Sequence, residues 1–576
     1  MSEAITIVRR QVPEHGPWPP GFPLVLQRVL AARGVLSAEA AELRLANLLR
    51  PDSLGQLNAA VALLAAAIAD RRHIVVVGDF ECDGATGTAV AVRGLRMLGA
   101  SHVSFRVPNR ATHGYGLSPA LVDDLEAMAP ELVLTVDSGI ACHAGVRAAK
   151  DRGWQVLVTD HHLPGEQLPP ADVIVNPNLA GDAFPSKALA GVGVMFYLLL
   201  ALRRHLREQG AFAGLEPDLS CLLDLVAVGT VADMVPLDGN NRILVAAGLK
   251  RLRQGQGQPG LRALAGLAGR AEATLTAADI GFGIAPRLNA AGRLDDMALG
   301  IECLICDDTA RAEAMASALD AINGERRERQ QSMVDDAEAA LQAMPLVLEG
   351  LPPAFILFDP SWHAGVVGLV ASRIKDRCHR PALAFAPSEP DSGMLRGSAR
   401  SIPGLHIRDA LARVDALHPG LIERFGGHAM AAGLSLRAEN LEPFRTAMLA
   451  SVESMLAPEL LRAELWSDGP LAPMEFTREI AESLRMAGPW GQGFAEPVFD
   501  NVFEVREWRV LGERHLKLSL SLASDGPVIS AIHFGGWQGT PPSARIHAAY
   551  QVEPDDFRGR KGVQLLIRHW YHCPSQ

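Results

Sequence analysis

The chain has 576 residues, of which 48% are hydrophobic and 21% charged, a composition typical of a globular protein with several domains. A net charge of -11 excludes a uniformly basic surface for nucleic acid, although local basic clefts remain compatible with it. The 7 scattered cysteines indicate a reduced, cytoplasmic protein rather than a disulfide-stabilised secreted one. The N-terminus has no apolar signal segment and the apolar run at 191–202 is too short for a membrane span, so we expect no membrane association.

The pattern of helices and strands divides the chain into five predicted regions. Residues 1–50 form a helical lead-in, and residues 51–306 alternate helix-length segments with apolar strands, which predicts a mostly parallel sheet covered on both faces. Residues 307–345, rich in Ala, Glu, Arg and Gln, predict one long connecting helix or two joined helices. A second α/β domain is expected at 346–455, and an all-β domain, an open OB-like barrel, at 456–576.

Acidic and histidine side chains stand at the ends of predicted strands within residues 51–306. They are Asp79, Glu81, Asp83, Asp137, Asp160, His161, His162 and Asp233. Since the carboxyl ends of neighbouring parallel strands meet in one crevice, we expect these side chains to converge. Such a concentration of negative charge needs cations, and carboxylates with imidazoles favour Mn²⁺ or Mg²⁺. Two such ions about 4 Å apart activate water against phosphorus. Taken singly, however, each Asp is typical of a helix cap or turn, and a His pair is more often structural.

Short motifs along nearly the whole chain carry a family resemblance. In order they are DFECDG, VDSG, TDHH, ADMVPL, PRLNAAGR, SWHAGVVG, GSARS, FGGHAMAAG and GPWGQGFAEPVFDN. The sequence resembles the DHH phosphoesterase superfamily, named for the triplet that stands here at residues 160–162. The later motifs and the β-domain behind them are most similar to its exonucleases specific for single-stranded DNA. The resemblance implies a DHH catalytic domain at 51–306, a DHHA1-type substrate-binding domain at 346–455 and an OB-like single-strand-binding domain at 456–576.

The same resemblance implies roles for the acidic and histidine side chains. The implied ligands of two Mn²⁺ ions, with Mg²⁺ as the alternative, are Glu81, Asp83, Asp137, His161 and Asp233, and Asp79 lies within or beside the first ion's shell. Asp137 would bridge the ions, Asp160 would orient an imidazole, and His162 would face the scissile phosphate. The family's first motif normally has three alternating aspartates, and Glu81 replaces the middle one here. We therefore expect one ion to bind with altered geometry or lower affinity.

Substrate-binding residues are also implied, since phosphate recognition needs cationic side chains and small residues. A loop-like segment would hold the 5′ end through Arg287, Asn289 and Arg293, with Arg287 on the terminal phosphate. The second domain offers Ser361, His363, Gly365, Ser398, Arg400, Gly426, Gly427 and His428 for the following nucleotides. Arg110 could contact a phosphate and Tyr115 could stack on a base, although a helix-entry turn explains these two residues equally well.

In the β-domain, four alternating strand patterns lie between residues 502 and 570 and interleave basic with aromatic side chains. This pattern favours a single-strand track over a merely solvated face. The residues are Trp508, Arg509, Arg514, His515, Lys517, Phe557, Arg558, Arg560, Lys561, Arg568 and Trp570. Arg326, Arg327 and Arg329 of the connecting helix are instead expected on a solvated face.

These observations and the resemblance together predict a hydrolase: a metal-dependent exonuclease that degrades single-stranded DNA from the 5′ end to 5′-mononucleotides in recombination and repair. A helicase and a single-strand-binding protein are the implied partners, and a monomer is the default state. One alternative is a superfamily enzyme acting on pyrophosphate, short RNA or cyclic dinucleotides, which would need no terminal barrel. The other is a catalytically silent scaffold, which only Glu81 favours.

Overall fold

A computed structural model describes residues 5–110, 112–212, 214–294, 296–342, 351–389, 392–537, 539–555 and 562–573. The N-terminal region is not wholly helical, because a strand precedes its helices. Its elements are β1 (Thr6–Arg9), α1 (Leu24–Ala31) and α2 (Ala38–Ala41). Strand β1 pairs in parallel with β12 (Glu464–Ser467), more than 450 residues further along the chain. A strand that pairs with so distant a partner gives no local signal in the sequence.

The first domain contains the parallel sheet that the alternating pattern predicts, in the order β3-β2-β4-β5-β6. Its strands are β2 (Ile74–Val77), β3 (Val103–Arg106), β4 (Leu132–Val136), β5 (Gln155–Thr159) and β6 (Val173–Val175). The helices that follow or cover them are α3 (Leu57–Ala69), α4 (Cys82–Met97), α5 (Pro119–Leu125), α6 (His143–Asp151) and α7 (Gly191–Glu208). Every residue of β2 and β4 is buried, as expected for central strands covered on both faces.

Helices complete the first domain and lead into the connecting helix. They are α8 (Leu223–Ala232), α9 (Gly239–Arg253), α10 (Pro259–Leu267), α11 (Ala277–Asp279), α12 (Ala285–Leu294), α13 (Met297–Ile305) and α14 (Thr309–Gln342). The prediction of a loop at PRLNAAGR is wrong, since these residues lie on α12, entered through a π-helical turn at Ile280–Ile284. Pro286 lies just after this π-helical turn, where the regular α-helical hydrogen-bond pattern is already interrupted. Helix α14 is a single helix of 34 residues, which confirms the first of the two forms expected.

The second domain is a mixed sheet in the order β10-β11-β9-β8-β7, with helices on both faces. Its elements are β7 (Phe355–Phe358), α15 (Val367–Cys378), β8 (Ala382–Pro387), β9 (Met394–Arg400), α16 (Ile407–Leu417), β10 (Arg424–Gly427), β11 (Ala431–Arg437) and α17 (Leu441–Met455). Strands β7 and β8 are parallel and the remaining pairs are antiparallel. Two separate apolar clusters cover the two faces of this sheet.

The C-terminal domain is a barrel, and the barrel is closed rather than open, in the order β13-β14-β15-β17-β16. Its elements are α18 (Arg478–Met486), β13 (Phe499–Leu511), β14 (His515–Ser521), β15 (Ile529–His533), β16 (Arg545–Asp555) and β17 (Gly562–His572). Strand β16 was not among the four predicted strands. It closes the barrel by pairing with both β13 and β17.

The apolar core of the first domain continues into the barrel. One cluster of buried side chains extends from Val25 through the parallel sheet to Leu565 and Ile567 of β17. The barrel is therefore packed against the first domain and is not a detached module. Among the described residues no single helix has the length and apolar character of a membrane span, although the bent pair Leu45–Ser53 and Leu57–Ala69 meets that test on length and composition.

Candidate metal centre

The predicted acidic and histidine side chains meet at the carboxyl edge of the first sheet. Asp79 lies between β2 and α4, Asp83 is in the first turn of α4, Asp137 follows β4, the triplet 160–162 follows β5, and Asp233 ends α8. The edge of the parallel sheet brings the side chains from β2, β4 and β5 together because these strands run in the same direction. The prediction that Asp233 ends a strand is wrong, since this residue reaches the same edge from the end of a helix.

His161 stands at the centre of this cluster. Its Nε2 lies 3.1 Å from Oδ1 of Asp137 and 3.5 Å from Oδ2 of Asp233. Two overlapping groups have ligand atoms within 4.8 Å of one another: Asp83, His161 and Asp233, and Asp137, His161 and His162. Carboxylate oxygens with one or two imidazole nitrogens are suitable donors for Mn²⁺ or Mg²⁺.

The strongest indication of a cation is a set of buried atoms that make no hydrogen bond. Oδ1 of Asp137, Nε2 of His161 and Oδ2 of Asp233 all have this property, although they approach one another within ion-pair distance. Leaving a buried polar atom without a partner normally costs about 1–3 kcal/mol. A divalent cation between these atoms would satisfy all three, so the residues fit the metal that the sequence implies.

Asp83 is held by the start of α7. Its Oδ2 accepts the N–H of Gly191 at 2.6 Å and its Oδ1 accepts the N–H of Val192 at 3.0 Å. A side chain at position 191 could not be accommodated, because a Cβ there would lie 2.5 Å from the Cβ of Asp137. Glycine thus lets the helix start approach two acidic side chains together, and its N–H groups offset part of their negative charge.

Four carboxyl groups of the cluster have pKa values above their ordinary range. Burial, followed by repulsion from neighbouring acids, raises the pKa of both Asp83 and Asp137 well above its usual value. Burial also raises the pKa of Asp233, and that of Asp79 to about 7. Metal binding must therefore displace protons from the cluster, which makes affinity dependent on pH.

Asp160 has a different environment from its neighbours. Burial would raise the pKa of Asp160, but hydrogen bonds from His162 and from backbone N–H groups outweigh it and lower the pKa. Oδ1 accepts Nδ1–H of His162 at 2.8 Å, and Oδ2 accepts the N–H of Ile140 at 2.9 Å. The hydrogen bond to Asp160 raises the pKa of His162. Asp160 therefore orients His162 and favours its protonated form.

Glu81, one of the predicted metal ligands, is directed away from the cluster. Its Oε1 lies 3.3 Å from Nη2 of Arg110, and half of each side chain is exposed. The guanidinium of Arg110 also stacks on the ring of Phe80, 4.2 Å from its centroid. Among the described residues Glu81 belongs to neither group of potential ligands. Tyr115, which like Arg110 was predicted to bind substrate, donates its hydroxyl to the carbonyl of Asp137.

The residues expected at the 5′ end do not share one environment. Arg287 is only 4% exposed, and its guanidinium donates to the carbonyls of Gly283 and Leu267 and lies 2.8 Å from Asp320. An arginine so enclosed cannot reach a DNA phosphate in this conformation, so its predicted role needs correction. Its position on α12 turns the side chain toward α14 rather than the cleft.

The two other residues of this segment behave differently from each other. Oδ1 of Asn289 accepts the N–H of Cys82 at 2.8 Å, so this side chain supports the first turn of α4. Arg293 is exposed. The pKa of Arg326 is lowered mainly by its own burial and secondly by the nearby charge of Arg293. Among the three, Arg293 is the one accessible to a phosphate.

The second domain brings part of its predicted set together. A cavity of about 470 Å³ is lined by His363, Gly365 and Ser398, together with Arg396 and the start of α15. Arg400 donates to the hydroxyl of Ser398 at 2.8 Å. Ser361 is instead bound to Asp359, while Gly426, Gly427 and His428 form the exposed end of β10 and the turn that follows it.

The barrel presents some of the expected aromatic and basic side chains. Trp508 is 40% exposed and stacks on Trp537, with 5.6 Å between ring centroids. Lys517 and Arg568 are bound to Ser530 and Gln551, and Trp570 packs on the core. Arg509, Arg514 and His515 lie on or between β13 and β14. The remaining candidates, Phe557, Arg558, Arg560 and Lys561, lie outside the described residues.

Comparison with known proteins identifies the family. The DHH family N-terminal domain matches residues 73–230, the DHHA1 domain 351–454 and the RecJ OB domain 467–569. The single-stranded-DNA-specific exonuclease RecJ of Dickeya dadantii is 50% identical over 574 residues, 98% of this chain and 99% of its own length. The Escherichia coli protein of the same name is 47% identical over 98% of this chain and 99% of its own length. The chain belongs to the RecJ family.

Solved RecJ structures share this fold. The crystal structure of RecJ in complex with Mn²⁺ from Thermus thermophilus is 31% identical and has a TM-score of 0.75, covering 96% of this chain and 76% of that one. The Mg²⁺ complex from the same organism has a TM-score of 0.71 at 28% identity, covering 96% and 75%. RecJ structures therefore confirm the multidomain α/β architecture that the sequence predicts.

Two asparagines that the sequence reasoning missed also support this RecJ site. Nδ2 of Asn176 donates to the carbonyl of His162 at 2.9 Å, and Nδ2 of Asn178 donates to the carbonyl of His161 at 2.6 Å. Both follow β6, the edge strand beside the triplet. Polar residues directly after a buried strand were the signal used for the other sites, and the same signal would have found these two.

Proposed function

We propose that this RecJ-family chain is a metal-dependent exonuclease that degrades single-stranded DNA from the 5′ end and releases 5′-mononucleotides. The observation that carries the proposal is the convergence of three buried atoms without hydrogen bonds, from Asp137, His161 and Asp233, in a chain of this family. Mn²⁺ is the proposed cofactor, with two ions bound, and Mg²⁺ is the alternative. Thermus thermophilus RecJ forms complexes with each of these ions.

When bound, the cations supply a nucleophilic water at neutral pH and stabilise the leaving 3′ oxygen. Asp83, Asp137, His161 and Asp233 would hold them, with Asp79 beside the first. Asp137 is the proposed shared ligand, and the position of its buried Oδ1, 3.1 Å from Nε2 of His161, supports this assignment. Glu81 would join the ligands only by leaving Arg110.

His162 acts on the substrate rather than on the fold. Asp160 occupies its Nδ1, so Nε2 is the ring nitrogen available to a phosphate oxygen. The raised pKa of His162 favours the protonated form, which attracts the scissile phosphate and can donate a proton. Because nearly half of the side chain is exposed, a phosphate can reach the ring without a conformational change of the sheet.

The strand would follow a path formed by all three domains. Arg110 and Arg293 are proposed to contact phosphates beside the metal centre, with Tyr115 near the terminal nucleotide. The cavity of the second domain would take the following nucleotides through His363, Ser398 and Arg400, and the exposed turn at 426–428 would line its rim. Stacked Trp508 and the basic residues of β13 and β14 would guide the strand along the barrel.

We propose the domain boundaries 51–306, 346–455 and 456–576, with the N-terminal region at 1–50 and the connecting helix at 307–345. The family matches at 73–230, 351–454 and 467–569 fall inside the three main domains. The proposed setting is recombination and repair in the cytoplasm, where a helicase and a single-strand-binding protein supply the strand to a monomeric enzyme. Residues 467–569 support this assignment over a pyrophosphatase or dinucleotide phosphodiesterase.

Digestion of long single strands labelled at either end tests the proposal. With Mn²⁺, the 5′ label should appear first as a mononucleotide, and Asp137→Ala should abolish its release. Duplex DNA of the same sequence and pyrophosphate serve as control substrates. Earlier release of the 3′ label would overturn the polarity, and full activity of Asp137→Ala would overturn the assignment of the site.

A further inference from the structure

Asp137 has an unusual backbone conformation for a proposed metal ligand. Its φ is 60°, in the left-handed region that residues with a Cβ rarely adopt. Its N–H donates to the carbonyl of Thr159 on the neighbouring strand at 3.1 Å. This conformation must be held from both sides of the residue, since an unsupported aspartate would relax toward the extended or helical region.

The hydroxyl of Tyr115 provides the second support. It donates to the carbonyl of Asp137 at 3.0 Å, from a loop that is otherwise remote along the chain. Glycines on either side of Tyr115 have left-handed backbones, with φ of 75° at Gly114 and 65° at Gly116. A Cβ at position 116 would lie 2.7 Å from Sγ of Cys142 and 3.3 Å from Cβ of Ser138. The Gly-Tyr-Gly sequence therefore brings the tyrosine against the turn that carries Asp137.

The ring of Tyr115 touches the catalytic cluster as well. Its centroid lies 6.1 Å from that of His162 and 5.9 Å from that of Phe80, both in edge-on geometry. Edge-on contacts of this kind are favourable between aromatic rings and support this orientation of Tyr115. Although 46% of Tyr115 is exposed, its hydroxyl is directed inward to Asp137 rather than outward to solvent.

From these contacts we propose that Tyr115 is a positioning residue for the metal centre. Its hydroxyl holds Asp137 in the left-handed conformation that directs the carboxylate toward His161. This role differs from the base-stacking role expected from the sequence, which would use the ring and not the hydroxyl. The inference rests on the proposed function, since it assigns Asp137 to cation binding.

Two substitutions of Tyr115 separate the two roles in the full-length protein. Tyr115→Phe removes the hydroxyl and keeps the ring, and Tyr115→Leu removes both. Mn²⁺ affinity is measured by calorimetry without DNA, and kcat and KM are measured on single-stranded DNA over a range of Mn²⁺ concentrations. Tyr197→Phe is the matched control, because its hydroxyl bonds to Asn240 at 2.8 Å, away from the cluster.

A positioning role predicts that Tyr115→Phe raises the Mn²⁺ dissociation constant about 5- to 10-fold. At limiting Mn²⁺ its kcat should fall, excess Mn²⁺ should restore it, and KM for DNA should change less than about 2-fold. Tyr197→Phe should leave Mn²⁺ affinity unchanged. Thermal unfolding must show that the variant is fully folded at the assay temperature, because Mn²⁺ would also rescue a partly unfolded protein.

The opposite pattern would overturn the proposal. If Tyr115→Phe binds Mn²⁺ like the natural protein while Tyr115→Leu alone raises KM for DNA, the ring is what matters and the stacking role is correct. A failure of the proposed function would look different: the natural protein would release no nucleotide, whereas the calorimetric comparison of Mn²⁺ affinity would still decide the role of Tyr115.

Discussion

Asp137 Oδ1 and His161 Nε2 lie 3.1 Å apart, and both are buried atoms that make no hydrogen bond among the residues described. A neutral imidazole and a protonated carboxyl could pair there, but the geometry does not satisfy a hydrogen bond. A cation bound between these two ligand atoms would supply the partner that each of them lacks. The stability of the cluster should therefore depend on both pH and metal.

The metal-free protein should lose stability as pH rises from about 4 to 7. The acids of the cluster have raised pKa values in the folded state, that of Asp79 being about 7. The folded state consequently binds more protons than the unfolded state in this range, and stability falls as these protons leave. Asp160 has the opposite shift and loses its contribution only as pH falls, which places it outside this window. Burial lowers the pKa of His161, so this imidazole opposes the trend in part of the window, against four acids whose pKa values are raised.

Thermal unfolding in EDTA and in Mn²⁺ across this pH range measures the effect. The difference between the two transition temperatures should widen as pH rises, because Mn²⁺ replaces the protons. Asp137→Asn removes one charge, so its metal-free transition should be higher at pH 8 by a few degrees and should depend less on pH. A metal-free protein that becomes steadily more stable from pH 4 to 7 would contradict this account.

Glu81→Asp should strengthen metal binding. The shorter side chain cannot maintain the 3.3 Å contact with Arg110 and restores the family's pattern of three aspartates. An exposed ion pair of this type is worth no more than about 1 kcal/mol, so its loss should cost little. We expect the Mn²⁺ concentration for half-maximal activity to fall about 3- to 10-fold, as read from a metal titration.

Glu81→Gln is the control for the charge of residue 81. It weakens the pair with Arg110 but provides no aspartate carboxylate at position 81, so it should not improve metal binding. If Glu81→Asp needs more Mn²⁺ than the natural protein, Glu81 already serves as a ligand in the loaded enzyme and its pairing with Arg110 is only the metal-free arrangement.

The sequence predicted the metal centre better than the DNA path for a physical reason. Strand ends of a parallel sheet converge whatever their loops do, so the position of Asp137 or His161 follows from topology alone. Arg287 depended on the direction of one side chain from a helix, which packing against Asp320 decides. Glu81 likewise turned toward Arg110, a residue brought beside it only by the fold. The pairing of β1 with β12 had no local signal at all.

Arg287→Ala should act on stability and leave recognition of the 5′ end unchanged. The guanidinium of Arg287 is buried and does not face the metal centre. It pairs with Asp320, whose side chain is partly exposed. Removing one member of a buried pair costs about 3–5 kcal/mol, and the exposure of Asp320 reduces this to about 2–3 kcal/mol. Denaturant unfolding measures the loss, and competition between phosphorylated and unphosphorylated 5′ ends measures recognition.

Arg293→Ala supplies the comparison, since Arg293 is exposed on the same helix. It should leave stability nearly unchanged and weaken the binding of single strands, more so at low salt. A variant of Arg287 with natural stability and an altered preference for 5′ phosphate would return that residue to the DNA path.

The last prediction concerns Asp500, which ties the N-terminal strand to the barrel. Its side chain is 1% exposed and binds Arg9 of β1 at 2.7 Å, Ser467 of β12 at 2.5 Å and His547 of β16 at 2.8 Å. Despite burial, these hydrogen bonds hold the pKa of Asp500 well below its usual range. The stabilisation is therefore complete above the unfolded-state pKa of about 4 and is lost as pH falls below it.

Asp500→Ala should cost about 3 kcal/mol of stability, because it leaves the partners of Asp500 unpaired. The side chain of Arg9 is 56% exposed, so Arg9→Ala should cost less than about 1 kcal/mol. Hydrogen exchange should show β1 and β12 losing protection together in Asp500→Ala, and equal losses in the two variants would mean that Arg9, not the buried carboxylate, holds the strand.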